Sequence, residues 1–269
     1  MFTLESADAG RMRRLDSRLL VCMVVTAATA LFVLGLLRAP YPYADPRFAV
    51  ALFDTEVQVT LLLAVATALW FPGRRMGLRA PRLAPPRGAA HRRVAPLVLL
   101  LLAAAGAWAV ARLSLPAGAA FDDGLSWRVL RTTALVGLNE EWLFRGLLLA
   151  AFCRWWGLRR GAIAASLAFG AFHAINILAG QPPAMVAVQV LVTLLMGAIF
   201  LMAALGTRSL LLPMVGHALY DFAVIDIGRL AAAGANATGM LVVTVLGLVL
   251  GIGCLIEIGR LRGAEPYPT

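Results

Sequence analysis

The sequence predicts an all-α fold: a polytopic integral membrane bundle of about eight transmembrane helices, with both termini in the cytoplasm. Of its 269 residues, 61% are hydrophobic and only 14% are charged, whereas soluble domains contain roughly 45–50% apolar and about 25% charged residues. The apolar residues form long runs, and the basic residues are concentrated between alternate runs. This composition excludes a soluble globular enzyme, a disordered chain and a disulfide scaffold, because a soluble surface cannot carry so much apolar side chain.

Eight apolar runs are long enough to be membrane spans, since about 20 residues cross a hydrocarbon core roughly 30 Å thick. The runs cover residues 19–37, 48–71, 94–113, 130–152, 161–178, 184–205, 210–227 and 239–258. Proline and glycine separate most of them, as expected at helix ends. Because no internal repeat or second compositional region interrupts the pattern, the chain is predicted to be a single membrane domain over residues 1–269.

The orientation follows from arginine, because all 24 basic residues are arginine. With the N-terminus in the cytoplasm, seventeen of them fall on the inner side: Arg11, Arg13, Arg14, Arg18, Arg74, Arg75, Arg79, Arg82, Arg87, Arg92, Arg93, Arg154, Arg159, Arg160, Arg208, Arg260 and Arg262. This distribution agrees with the positive-inside rule. The longest connection, residues 72–93, is an Arg- and Pro-rich cytoplasmic linker suited to anionic headgroups. The charge therefore indicates a lipid bilayer and no nucleic-acid partner.

Ionisable side chains inside the predicted spans indicate a functional site, because each is costly in a bilayer. They lie in the fourth, fifth and seventh spans: Glu140, Glu141, Arg145, His173, His217 and Asp221. Outside this group, Asp226 is expected at the membrane interface. Asp54 and Glu56 either line a portal or face water at a helix end.

Helix geometry sorts these residues into pairs. Glu141 and Arg145 are four residues apart, with the acid first, which favours an ion pair on one helix face. Glu140 is rotated about 100° from Glu141 and has no such partner, so it is available for chemistry. His217 and Asp221 also share one face. Estimated depths place the polar residues between the bilayer centre and its cytoplasmic half, which predicts a shared polar cavity.

In sequence order, the motifs Glu140-Glu141-xxx-Arg145, Phe169-xxx-His173 and His217-xxx-Asp221 resemble those of the CPBP family of CAAX-processing and bacteriocin-processing intramembrane proteases, also called Abi or type II CAAX endopeptidases. The resemblance covers residues 130–227, which would be the catalytic core. It implies that Glu140 and His173 activate a water for attack on a peptide carbonyl. It also implies that His217 and Asp221 bind the oxyanion or position the water, and that Glu141 and Arg145 brace the site.

Asp221 departs from the family pattern, in which asparagine is common at this position. An ionised aspartate cannot donate to an oxyanion, so Asp221 would be protonated, orient His217 or bind a metal. His173 and His217 with Glu140 or Asp221 are also a plausible zinc set. The cofactor is therefore either none or a divalent metal such as zinc, and the metal-free glutamate mechanism is preferred.

The function expected is that of an intramembrane endopeptidase acting on a membrane-associated protein or peptide, in a bacterial cytoplasmic membrane. Two alternatives belong to other classes. One is a non-catalytic scaffold or immunity protein, which intact Glu140 and His173 disfavour. The other is a proton-coupled transporter, which predicts inverted repeats that the sequence does not show. The sequence carries no signal for oligomeric state or substrate identity.

Overall fold

The computed structural model describes residues 4–41, 45–70 and 90–261, and within these ranges every regular element is a helix. The α-helices are α1 (Leu4–Arg38), α2 (Pro46–Ala51), α3 (Phe53–Trp70), α4 (Ala90–Leu113), α5 (Asp123–Glu141), α6 (Leu149–Phe172), α7 (Pro183–Thr207), α8 (Leu211–Ala232) and α9 (Thr238–Gly259). A π-helix, Trp142–Leu148, joins α5 to α6, and a 3₁₀-helix, His173–Ala179, follows α6.

Six helical stretches of the described chain are long and apolar enough to cross a membrane. They are Val21–Arg38, Ala90–Leu113, Asp123–Ala179, Pro183–Thr207, Leu211–Ala232 and Thr238–Gly259. The polytopic helical membrane bundle is thereby confirmed. The count of eight spans and the cytoplasmic location of both termini stay predictions.

The stretch Asp123–Ala179 differs from the sequence expectation, because it is 57 residues long where two separate spans are predicted. Its continuity is broken at Gly157, whose φ of 76° and ψ of 168° are not helical. Glycine reaches this conformation because it lacks a Cβ. A Cβ added at Gly161 would lie 2.6 Å from the Cys153 backbone nitrogen, so the residues before and after Gly157 contact each other. The chain reverses there, at the boundary between the predicted spans.

The predicted second span, residues 48–71, is divided in the structure into α2 and α3. Asp45 caps α2 by accepting a hydrogen bond from the Arg47 backbone nitrogen at 2.9 Å, and Pro46 occupies the first helical position, where its missing N–H costs little. Leu52 lies between the two helices. Most of the predicted linker over residues 72–93 lies outside the described residues, and its last part, from Ala90, begins α4.

The bundle has two ends, which we call the basic end and the opposite end. The basic end contains residues 90–93, 154–161, 206–211 and 257–261, and a Cβ on Gly206 there would lie 3.0 Å from Arg93 Cβ. The opposite end contains residues 38–41, 45–53, 112–123, 180–183 and 229–238. There the Asn236 backbone nitrogen donates to Ser114 Oγ at 2.9 Å. Successive helices therefore run in alternating directions between the two ends.

A buried polar network near the opposite end ties α4, α5 and α8 together. Asp226, which the sequence places at the membrane interface, is 1% exposed and lies between helices. Its carboxylate accepts hydrogen bonds from Trp108 Nε1 at 2.9 Å, from Ser126 Oγ at 2.8 Å and from Arg229. Arg229 also donates to the Asp122 carbonyl at 2.7 Å. Asp226 is stable in this position because each carboxylate oxygen has a donor.

Close packing of α5 against α8 depends on Gly137. A Cβ at this position would lie 2.6 Å from the Met214 carbonyl oxygen and 2.8 Å from the Ala218 backbone nitrogen. Both contacts are with backbone, so a side chain there must push the helices apart. Gly137 lies one turn before Glu140, and Ala218 follows His217, so this contact sets the distance between residues of the predicted site.

We expect Gly137→Ala to lower the free energy of unfolding by about 1–3 kcal/mol, the usual range for overpacking. The thermal midpoint of the purified protein in detergent measures this effect. Gly253→Ala is the matched control, because a Cβ there meets no atom within 4 Å. That helical substitution should be neutral or stabilise by up to about 1 kcal/mol. Equal midpoints for the two variants would contradict the packing argument.

Candidate active site

Glu140 lies in the last turn of α5 and is 7% exposed. Its Oε2 atom is buried and accepts no hydrogen bond from the part of the chain that the structure describes. Two imidazole nitrogens face it: His173 Nε2 at 4.0 Å and His217 Nε2 at 3.9 Å. These distances are too long for direct hydrogen bonds and match the separation of groups that a water molecule bridges.

His173 is held by the end of α6. Its Nδ1 lies 2.9 Å from the Phe169 carbonyl oxygen. Because a carbonyl oxygen can only accept, Nδ1 carries the hydrogen and the neutral ring presents a lone pair at Nε2. The ring also packs edge-on against Phe169, with centroids 5.1 Å apart. The contact with its own helix thus fixes both the tautomer and the direction in which Nε2 points, which is toward Glu140.

His217 lies between two carboxylates. Its Nδ1 hydrogen-bonds Glu141 Oε1 at 3.1 Å, and its Nε2 lies 3.3 Å from Asp221 Oδ2. The ring stacks on Phe200, with centroids 4.7 Å apart and planes inclined by 18°. Ionised carboxylates can only accept, so this arrangement suits an imidazole that carries hydrogen on both nitrogens.

The ion pair expected from the spacing of Glu141 and Arg145 is present and fully enclosed. Arg145 Nη1 lies 2.9 Å from Glu141 Oε1, and the two side chains are 1% and 0% exposed. Arg145 Nη2 donates to the Gly197 carbonyl at 3.0 Å, and the guanidinium lies over the Phe169 ring at 4.1 Å. Glu141 therefore contacts both Arg145 and His217. The Glu141–Arg145 ion pair thus holds the Nδ1 side of the His217 ring, away from Glu140.

These side chains line one cavity of about 600 Å³. Glu140, His173, His217 and Asp221 all contribute to its wall, whereas the Glu141–Arg145 pair lies behind that wall. The remaining lining is mostly apolar and includes Phe32, Leu36, Phe48, Phe172, Met196, Val224 and Ile225. The structure thus places the four residues predicted to be catalytic around a largely apolar space large enough for several peptide residues.

Glu56 is a residue whose place the sequence left open between a portal and a water-facing helix end. It lines the cavity, and it is 1% exposed. Asn139 Nδ2 donates to Glu56 Oε2 and to the Glu56 carbonyl, both at 2.8 Å. Because Asn139 precedes Glu140, this network anchors the turn of α5 that carries Glu140. The sequence did not predict this role because Glu56 lies in the first turn of α3. Acidic residues are common in the first turn of helices that begin in water.

The zinc set that the sequence left open can be compared with the positions of the donor atoms. Among the described residues, no three His, Cys, Asp or Glu side chains are grouped so that they could hold one metal ion. His217 has carboxylates at both ring nitrogens, at 3.1 and 3.3 Å, which leaves no lone pair for a metal. His173 Nε2 and Glu140 Oε2 lie 4.0 Å apart, and tetrahedral zinc takes at least three protein ligands.

Comparison with known proteins agrees with the motifs. The family model for type II CAAX prenyl endopeptidase Rce1-like proteins matches residues 122–223. This match confirms the resemblance to the CPBP family of intramembrane proteases. It runs from the N-cap of α5 into α8 and includes all six motif residues of the candidate site. Searches of curated proteins and of solved structures found no match.

The family match indicates the general class of activity and of substrate. It supports an intramembrane protease in general, and it supports a substrate that is a membrane-associated protein. Together with the six apolar helices, it also makes this chain an integral, multi-pass protein of a lipid bilayer.

Proposed function

We propose that the protein is an intramembrane endopeptidase in which Glu140 and His173 activate a water molecule. The observation that carries this proposal is the position of the Glu140 Oε2 atom, buried and 4.0 Å from His173 Nε2. A water placed between these atoms would donate one hydrogen to each of them. Its oxygen lone pair would then be free to attack a peptide carbonyl in the cavity, as general-base catalysis requires.

The reaction balances with these residues alone. As the water oxygen bonds to the carbonyl carbon, Glu140 takes the proton and the carbonyl oxygen becomes an oxyanion. When this intermediate collapses, the C–N bond breaks and Glu140 passes the proton to the leaving amine. The products are a new carboxyl group and a new amino group, and Glu140 returns to its starting state.

His217 is proposed as the group that stabilises the oxyanion. Its Nε2 lies at the cavity wall, 3.9 Å from Glu140 Oε2, so the single in-plane hydrogen on this nitrogen would be shared between Asp221 and the developing charge. Asp221, 3.3 Å away, would orient the ring and stabilise its charge. This is the second of the roles that the sequence left open for Asp221, and Glu141 would hold the opposite nitrogen.

We further propose that the mechanism uses no metal ion. The support is the donor geometry, because His217 is engaged by carboxylates on both sides. Glu140 and His173 would be sufficient to polarise water in a site shielded from bulk solvent. The membrane is proposed to be a bacterial cytoplasmic membrane, and the substrate a membrane-associated protein or peptide with an apolar segment that fits the cavity walls.

A comparison of membrane proteomes tests this function. We expect at least one membrane protein to accumulate uncleaved in cells that carry His173→Ala, because the loss of Nε2 removes one of the two acceptors for the water. His91→Ala is the matched control, since His91 is exposed at the start of α4 and should leave processing unchanged. Identical proteomes in wild-type and His173→Ala cells, with both proteins inserted at equal levels, would exclude a protease.

A further inference from the structure

The Asn139 side chain is bound by a helix that carries none of the motif residues. Asn139 is 1% exposed. Its Nδ2 donates to Glu56 Oε2 and to the Glu56 carbonyl oxygen, both at 2.8 Å, and its Oδ1 accepts a hydrogen bond from Thr60 Oγ1 at 2.8 Å. Because the Glu56 carbonyl oxygen can only accept, Nδ2 must face it. Two residues on one face of α3 therefore fix the orientation of this amide.

Glu140 thus has a bound neighbour on each side in the sequence. Asn139 is bound to Glu56 on α3, and Glu141 is bound to His217 on α8. Glu140 Oε2 itself accepts no hydrogen bond from the residues that the structure describes. Successive side chains of an α-helix point about 100° apart, so the two neighbours reach different helices. Together they resist rotation of this turn about the axis of α5.

The helix changes type directly after this turn. The Trp142 N–H, the first of the π-helix, is shared between the carbonyl oxygens of Leu138 and Asn139, whereas a regular α-helix directs each N–H to the carbonyl four residues back. In the π-helix the backbone hydrogen bonds span five residues. Because the regular pattern ends two residues after Glu140, contacts with other helices add to the backbone in fixing the direction of the Glu140 side chain.

Resting on the proposed function, we propose that Glu56 is a positioning residue for the reaction. Acting through Asn139 as a hydrogen-bond acceptor, Glu56 keeps Glu140 at the distance from His173 that the attacking water requires. Glu56 lies outside residues 122–223, which match the family model. Helix α3 therefore contributes to catalysis as well as to packing. A reacting group displaced by about 1 Å can cost about 10²-fold in rate, so loss of this contact should be visible in kcat.

Four variants of the full-length protein test this role. Glu56→Ala removes the acceptor, whereas Glu56→Gln keeps one, because an amide oxygen can take the place of Oε2. Thr60→Val removes the hydroxyl that donates to Asn139 with little change in side-chain shape, so it should fold even if Glu56→Ala does not. Asp54→Ala is the matched control, since Asp54 is an acid in the same first turn of α3 but is exposed.

Hydrogen exchange reports on the Glu140 turn without any cleavage. The exchange of backbone amides 138–142 is measured by mass spectrometry on purified protein in detergent. We expect about tenfold faster exchange in Glu56→Ala and Thr60→Val, because local opening of the turn becomes easier. Glu56→Gln and Asp54→Ala should exchange like the wild type. Wild-type exchange in Glu56→Ala, or in Thr60→Val where Glu56→Ala does not fold, would overturn the proposal.

Cleavage kinetics separate positioning from a general role in folding. The substrate is the purified membrane protein that accumulates uncleaved in His173→Ala cells. We expect kcat of Glu56→Ala to fall about 10²-fold with KM changed less than about twofold, and Glu56→Gln to recover most of kcat. A raised KM with unchanged kcat, or a Glu56→Gln variant as slow as Glu56→Ala, would overturn the proposal. If no protein accumulates, the proposed function fails, and hydrogen exchange alone decides whether Glu56 holds the Glu140 turn.

Discussion

Glu140→Gln is expected to reduce peptide cleavage by about 10³-fold, within the range found when a general base is removed. Glutamine keeps the size of the side chain but cannot take the proton from water. The folded state should be almost unaffected, because Glu140 Oε2 makes no hydrogen bond to the described residues. The measurement is the initial rate of cleavage by purified protein in lipid, with the thermal midpoint recorded for the same samples.

Glu257→Gln is the matched control for this substitution, since the Glu257 side chain is 56% exposed near the basic end. It should cleave at the wild-type rate. The same assay with a zinc chelator should leave the wild-type rate unchanged. Full activity of Glu140→Gln would contradict the assignment of the base, and loss of wild-type activity that added zinc restores would contradict the metal-free mechanism.

Arg145→Leu is expected to destabilise the protein by about 3–5 kcal/mol, because it leaves the buried Glu141 carboxylate without its cation. For a chain of this size, that change corresponds to a fall in the thermal midpoint of roughly 10 °C. The midpoint of purified protein in detergent measures it. Arg260→Leu is the control, because Arg260 is 70% exposed and its ion pair lies in water, where such pairs contribute at most about 1 kcal/mol.

A double variant separates the loss of the ion pair from a general packing defect. Adding Glu141→Gln to Arg145→Leu removes the uncompensated charge, so part of the lost stability should return. Leucine also gives up the contact with the Phe169 ring, at 4.1 Å, and this part should not return. A single Arg145→Leu variant as stable as the wild type would show that the enclosed pair contributes nothing to folding.

The helical membrane fold could be predicted from sequence because apolar run length and arginine placement report directly on the bilayer. The motif residues could also be selected, since charged and imidazole side chains are rare inside such runs. The helix spacing of Glu141 and Arg145 was sufficient to predict their pairing. Each of these features either depends on residues close together in sequence or follows directly from the bilayer.

Contacts between helices that are distant in sequence could not be predicted from these signals. Nothing near Glu56 in sequence indicates that Asn139 bonds it at 2.8 Å, and nothing near Asp226 indicates Trp108 and Ser126 as donors. Both acids lie close to helix ends, where exposure to water is the simplest expectation. Their burial depends on which helices pack together, a property that one sequence does not state.

Because a π-helix joins α5 to α6, the number of residues in this segment affects the geometry of the site. A π-helical turn closes with i→i+5 hydrogen bonds and so holds one more residue than an α-helical turn. Trp142–Leu148 follows Glu140 and Glu141 directly and contains Arg145. Loss of one residue here would let the segment tighten to an α-helix and would change the direction in which its own side chains, Arg145 among them, point. Among descendants of this gene, deletions in this segment should therefore be selected against even when every motif residue is retained.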